Sequence, residues 1–149
     1  MKSIQESAVV DMILRHRRPV HFPLGLVGFD SIKDFILVAK DHEAPLFWLE
    51  SKDHEDLSFL LLDPFLVNPD YAPEFNDEDL EQVESDEGND LIVLCITHLK
   101  DKIVRNLTLN LAAPLIINLH KGIGKQVYLK NSDRYSVDAK LWSKESRFG

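Results

Sequence analysis

Residues 59–71 read FLLLDPFLVNPDY, and this stretch decides how the chain can fold. The apolar run 59–62 is typical of a buried strand. Pro64 and Pro69 each fix their own φ and donate no backbone hydrogen bond, so an ordinary central strand cannot continue through either residue. The chain has to bend twice while it still carries large apolar side chains. The stretch is therefore a corner of the core or a docking surface.

The rest of the chain has short apolar runs separated by turns, which is the pattern of an antiparallel all-β protein. About eight strands are expected, among them 35–39, 46–50, 57–62, 90–98, 105–111, 115–119 and 126–130, with a short helix at 78–83 and a strand or helical turn at 8–14. The run 90–98 is mostly apolar and is expected to be buried on both faces. Helices between the strands are too few for a parallel sheet.

The fold class that follows is all-β with a minor helical part. We predict an antiparallel β-barrel, closed or partly open, because closure removes exposed strand edges. The length of 149 residues fits a single domain over 1–149, in which residues 135–149 form a polar C-terminal tail.

Composition indicates a cytoplasmic chain with no membrane segment. The hydrophobic fraction is 44%, but no apolar run reaches the roughly 18 residues that span a bilayer. The single cysteine, Cys95, excludes an internal disulfide and is compatible with a reducing compartment. It lies in an apolar strand, which is typical of a small buried residue and not of a nucleophile.

The net charge of −8 is concentrated in one segment. Residues 74–90 carry nine acidic and no basic side chains, whereas the rest of the chain balances at 17 basic against 16 acidic. Such a segment disfavours nucleic acid as a direct partner and can steer a basic protein surface, or it is simply a solvated face. A direct RNA site would depend on the last 30 residues, which hold seven basic and three acidic side chains.

No motif for catalysis, a cofactor or a metal emerges, so we predict a protein that is not an enzyme. His42 and His54 lie in two identical KDHE turns, but the strand between them separates the turns by roughly 20 Å. The sequence around Gly122, Gly124 and Lys125 lacks the first glycine and the hydroxyl residue of a phosphate-binding loop. No serine lies in a GxSxG elbow.

Large apolar residues in the loops are the candidates for contact with a partner protein. An exposed apolar patch rimmed by acids is typical of a protein interface. Plugging the barrel ends is the alternative, which is favoured for Phe22 and Phe29 and equally weighted for Phe65 and Tyr71. The predicted contact set joins apolar anchors to steering acids: Phe65, Leu66, Tyr71, Glu74, Asp77, Glu78 and Asp79.

Six segments in order resemble one known family. They are FPLGLVGF at 22–29, PLFWLES at 45–51, FLLLDPFLVNPDY at 59–71, LIVLCIT at 91–97, NLAAPLIIN at 110–118 and GKQVYL at 124–129. Together they resemble the flagellar assembly factor FliW family. Glu50 departs from the glutamine that the family often has at this position, and residues 1–19 and 135–149 match less clearly.

The resemblance implies a cytoplasmic, antiparallel β-barrel-like protein without catalytic activity. It implies two partners, newly made flagellin and the translational repressor CsrA. Binding of CsrA, without direct competition for its RNA surface, would relieve repression of flagellin translation. The competing classes are a small-molecule-binding barrel, which needs a deep pocket with convergent polar groups, and another kind of protein-interaction module.

Overall fold

The computed structural model describes residues 17–39, 46–86, 91–99 and 106–141. Its strands are β1 (Arg18–His21), β2 (Asp34–Ala39), β3 (Leu46–Ser51), β4 (Ser58–Leu62), β5 (Leu91–Leu99), β6 (Leu107–Leu109), β7 (Leu115–Asn118), β8 (Ile123–Gln126) and β9 (Ala139–Lys140). Its helices are α1 (Pro64–Val67) and α2 (Asp77–Gln82), and Ser132–Arg134 forms a 3₁₀ turn. Neither α-helix in this described part is long and apolar enough to cross a membrane.

Seven of the strands close into a barrel. The hydrogen-bonded order is β4-β3-β2-β1-β8-β7-β5, and β5 pairs back with β4 through Leu61 opposite Ile96 and Leu62 opposite Cys95. All neighbours run antiparallel except β1 and β8, which meet in parallel at His21 and Ile123. The C-terminal part of β5 also pairs with β6, and β6 pairs with β9 outside the barrel. The predicted antiparallel β-barrel is therefore confirmed.

The barrel interior is filled by side chains from six of its seven strands, all but β8, and from the loop after β1. In β2 and β3 burial alternates residue by residue, as expected when successive side chains point to opposite faces. The inner cluster consists of Val20, Phe22, Leu26, Phe35, Leu37, Ala39, Phe47, Leu49, Leu61, Ile92, Leu94, Leu115, Ile117 and Leu119. A barrel this small is packed by its own side chains, so its core is the inner cluster.

A second core covers the outer face of β5. Ile92 and Leu94 point into the inner cluster, whereas Leu91, Val93 and Cys95 point outward and are also buried. The prediction that this strand is buried on both faces is confirmed for residues 91–95, whereas His98 and Leu99 at its end are exposed. The outer cluster consists of Leu62, Tyr71, Val83, Leu91, Val93, Cys95, Leu107, Leu109, Leu111, Ile116, Val127, Leu129 and Leu141.

Two strand boundaries differ from the sequence prediction. The strand expected at 126–130 is β8 at Ile123–Gln126, because the turn ends earlier: the Gly122 N–H donates to the Asn118 carbonyl at 2.8 Å, with Gly122 at φ +69°. Of the strand expected at 105–111, the described part is a strand only over Leu107–Leu109. All three residues of this strand, including the polar Thr108, are buried.

Two strands were not predicted. β1 contains Pro19, a residue type that usually interrupts a strand. The proline is tolerated because the seam with β8 pairs only His21, so the amide that Pro19 lacks needs no partner there. β9 lies in the predicted polar tail, where Leu141 packs into the outer cluster. Residues 135–141 thus belong to the fold. The predictions for 8–14 and 142–149 concern residues outside the described part of the chain.

Gly124 of β8 leaves the space that Phe22 occupies. A Cβ at this position would come within 2.6 Å of the Phe22 ring, and Phe22 is fully buried against the Phe35 ring. We expect Gly124→Ala to lower the free energy of unfolding by about 1–3 kcal/mol through overpacking. Chemical denaturation measures this, and in the double variant with Phe22→Leu the two losses should be less than additive. Additive losses would contradict the contact.

Candidate protein-binding surface

The bend after β4 is built by Asp63, Pro64 and Asn68. The Asp63 carboxylate accepts the Phe65 N–H at 2.9 Å and so caps α1, whose first residue is Pro64. Proline is well suited to that position because its φ is helical and its missing N–H would be unpaired anyway. The Asn68 side-chain oxygen accepts the Asp70 N–H at 3.1 Å, and the Asn68 backbone carbonyl accepts the Tyr71 N–H at 3.0 Å. Both predicted bends are present, and the helix between them was not foreseen.

The bend brings the predicted apolar anchors to different depths. Leu66 is 44% exposed on α1 and is directly accessible to a partner. Phe65 is half-buried against the outer cluster, and its ring lies 5.6 Å from that of Tyr71. Tyr71 is only 2% exposed. The segment is therefore a cover for the outer cluster with Leu66 on its outer side.

Tyr71 is a core residue in this conformation. Its hydroxyl donates to the Leu111 carbonyl at 2.7 Å, and its ring packs edge-on against Tyr135 at 4.8 Å. Burial raises the pKa of the Tyr71 phenol above its ordinary value of 10.0, and the nearby Cys95 contributes in the same direction. Burial also raises the pKa of the Cys95 thiol. A thiol held in its protonated form is a poor nucleophile, in agreement with the small buried residue expected from the sequence.

Glu74 is placed by hydrogen bonds from its own backbone. Its N–H donates to the Asn131 side chain at 3.0 Å, and its carbonyl accepts the Lys130 N–H at 2.8 Å. Asn131 is buried and also donates to the Ala72 carbonyl at 2.9 Å. The segment between the two helices is thus fastened to the chain after β8, while the Glu74 side chain is exposed.

The three predicted acids of α2 divide into two roles. Asp77 and Glu78 are exposed in the first turn, where negative charge is favourable beside the helix N-terminus. Asp79 points the other way: its carboxylate lies 2.5 Å from Lys125 Nζ, with both side chains mostly buried. Lys125 also donates to Gln82, so this lysine fastens α2 to β8. Asp79 is therefore engaged inside the molecule, and Asp77 and Glu78 are available to a partner.

The sequence analysis did not single out two of the three most exposed aliphatic residues of the described chain. Leu24 and Val27, in the loop after β1, are each 61% exposed, whereas Phe22 and Leu26 of the same loop are buried. Phe22 is thus confirmed as a plug. Phe29 is partly exposed, with its ring 5.2 Å from that of Phe59. A loop has no period that separates inward from outward residues, and only the two glycines at 25 and 28 marked it as special.

Other types of site find little support in the described residues. They contain no group of three or more His, Cys, Asp and Glu that could hold a metal ion, and His42 lies outside them. Two cavities, of about 190 and about 430 Å³, adjoin the loop after β1 and are more apolar than polar. A ligand inside the barrel would have to displace the inner cluster.

Comparison with known proteins agrees with this geometry. The model of the FliW protein family matches residues 3–141. The chain is 33% identical to the flagellar assembly factor FliW of Caldicellulosiruptor bescii over 91% of this chain and 88% of that protein. It is 39% identical to that of Desulfitobacterium hafniense over 83% and 80%. A crystal structure of a flagellar assembly factor FliW superimposes with a TM-score of 0.76 at 34% identity, covering 86% of this chain and 88% of the other.

Removing the Tyr71 hydroxyl should destabilise the protein in a pH-dependent way. We expect Tyr71→Phe to lower the free energy of unfolding by about 1–2 kcal/mol at pH 7, because the Leu111 carbonyl loses its donor. The raised pKa of Tyr71 keeps the folded phenol protonated, so its contribution is complete below pH 10.0 and is lost above it, when the unfolded chain ionises. Above pH 10.0 the difference in the free energy of unfolding between wild type and variant should then decrease by up to about 1.4 kcal/mol per pH unit.

Urea unfolding from pH 7 to 11 measures both effects. Tyr128→Phe is the matched control, because Tyr128 is exposed and should change stability by less than about 0.5 kcal/mol. Equal stability of Tyr71→Phe and wild type at neutral pH would contradict the buried hydrogen bond.

Proposed function

The chain belongs to the FliW family of flagellar assembly factors, and on that premise we propose that it is a cytoplasmic, non-enzymatic protein that binds flagellin and a CsrA-type translational repressor. By occupying the repressor it relieves repression of flagellin translation. By releasing it when flagellin is abundant, it couples flagellin synthesis to flagellin export.

The observation that supports a binding role is the surface formed by α1, α2 and the segment between them. Leu66 offers an exposed apolar side chain, and the exposed acids Glu74, Asp77 and Glu78 lie in the same stretch of 13 residues, 66–78. We call these four residues the outer surface. An exposed apolar side chain together with exposed acids in one stretch suits a partner with a basic surface, as an RNA-binding repressor has.

The other members of the predicted contact set hold the two helices in place. Phe65 of α1 packs against the buried Tyr71 with ring centroids 5.6 Å apart, and Asp79 fixes α2 to Lys125 of β8. A partner that binds the outer surface therefore meets a preorganised site, which lowers the entropy lost on association.

Regulation follows if the two partners are linked. When two proteins bind overlapping or coupled surfaces, occupancy by one lowers the apparent affinity for the other by the same factor in both directions. Flagellin then controls how much of the protein is free to bind the repressor. No catalytic step is needed, since the output is set by the concentration of free flagellin.

The outer surface can be tested by two variants that spare the core. We expect Leu66→Ser to weaken binding of at least one partner by about 2 kcal/mol, because an exposed apolar anchor is lost. Asp77→Asn combined with Glu78→Gln should mainly slow association and reduce its salt dependence. Calorimetry and stopped-flow mixing with purified flagellin and purified repressor measure these effects.

The control for charge is Asp53→Asn with Glu55→Gln, which removes the same two charges from an exposed loop at the opposite end of β4 from α1. It should leave both affinities within twofold. Unchanged binding of both partners by the Leu66 and α2 variants, in folded protein, would show that the outer surface is not the contact.

The linkage has its own test. Titration of the chain with the repressor in the presence of increasing flagellin should give a falling apparent affinity, and the reverse titration should fall by the same factor. Equal affinities at every flagellin concentration would contradict the switch even if each partner binds alone.

A further inference from the structure

The loop between β1 and β2, residues 22–30, presents apolar side chains on a rigid frame. Its tip is a tight turn in which the Phe29 N–H donates to the Leu26 carbonyl at 2.7 Å. Gly25 is at φ +66°, and a Cβ there would lie 2.5 Å from the Asp30 backbone. The Val27 N–H donates to the Gln126 side chain of β8 at 2.9 Å. The loop is therefore fixed in place, although Leu24 and Val27 project into solvent.

Two cavities flank these side chains. One of about 190 Å³ is lined by Pro23, Leu24, Gln82, Gly124 and Lys125. The other, of about 430 Å³, runs along residues 24–28 to Asp30 and Gln126. The first cavity is large enough for a branched aliphatic side chain. Leu24 lines both cavities, and Val27 lines the second.

The charges around the loop indicate the chemistry of an occupant. Gln82 in the cavity wall belongs to α2, whose other exposed side chains, Asp77, Glu78 and Glu81, are acidic. Asp30 adds an exposed acid on the far side. Lys125, the basic residue of the wall, is neutralised by Asp79 at 2.5 Å. A second copy of this chain, with net charge −8, would be repelled, so the complementary occupant is basic.

We propose that the loop 22–30 is a second docking site, separate from the outer surface, for a protein segment that carries an aliphatic side chain flanked by lysine or arginine. The aliphatic group enters the cavity beside Leu24 and contacts Val27. The basic groups face Asp30 and Glu81, two exposed acids that are not part of the outer surface. Because α2 borders both this site and the outer surface, binding at one site can change the affinity of the other through this shared helix.

A synthetic peptide tests the site without any assumption about natural partners. The probe is a fluorescent 16-residue amphipathic peptide of leucine and lysine, followed by anisotropy with the full chain. We expect Leu24→Ser with Val27→Ser to weaken its binding at least tenfold, and a peptide with glutamate in place of lysine to bind at least tenfold more weakly. Val137→Ser is the matched control, since Val137 is also 61% exposed, and it should change affinity less than twofold.

Three outcomes overturn the proposal. Binding of the double variant within twofold of wild type removes the loop as the site, and equal binding of the lysine and glutamate peptides removes the charge complementarity. Sedimentation that shows wild-type dimers abolished by the double variant makes a second copy the occupant. Purified flagellin and repressor are tested in parallel: if neither binds wild type while the peptide result holds, the proposed function fails and the docking site stands.

Discussion

The burial of β5 on both faces is the constraint on which the rest of the structure depends. A strand in a small closed barrel needs only one apolar face, because its outer face can meet water. Here Leu91, Val93 and Cys95 make the outer face apolar as well, and it has to be covered. The chain covers it with the corner after β4, the two short helices, the extra strands β6 and β9, and the residues after β8. The protein is thus a barrel with a second core laid on one side.

This arrangement explains why one segment is both structural and a candidate for recognition. The stretch after Leu62 leaves the barrel at Asp63 and Pro64, crosses the outer cluster and ends in α2. Its inner side chains, Phe65 and Tyr71, complete the outer cluster, while Leu66, Asp77 and Glu78 are exposed. Helices of four and six residues have little stability of their own and depend on what they pack against. Asp79 with Lys125, and Asn131 with the backbone of 72–74, supply that support.

The sequence contained the architecture because the signals for it are local. Alternation in β2 and β3, the long apolar run of β5 and the two prolines after β4 each express a backbone rule that acts over a few residues. Contacts between side chains that are far apart in the chain could not be predicted from such local patterns. The Asp79–Lys125 ion pair joins residues far apart in the chain, so the nine acids of 74–90 looked alike although one of them is mostly buried.

The burial of individual side chains within loops could not be predicted from the sequence either. Leu24 and Leu26 lie two residues apart in the same loop, and the first is exposed while the second is buried. Phe65 and Leu66 are adjacent, and hydrophobicity alone ranks phenylalanine as the better anchor. Only the fold shows that the leucine is the one a partner can reach. Pro19 is tolerated inside β1 because of how this strand pairs with β8, and no local sequence pattern reveals that pairing.

Hydrogen exchange of the chain, free and saturated with flagellin or with the CsrA-type repressor, tests the central claim most directly. The amides of residues 64–82 lie in short helices and their connection, so they should exchange quickly in the free protein. The account predicts that at least one partner slows exchange in this segment, while the loop 52–57 at the other end of β4 is unchanged. Saturated complexes in which 64–82 exchanges as in the free chain, with protection elsewhere, would contradict it.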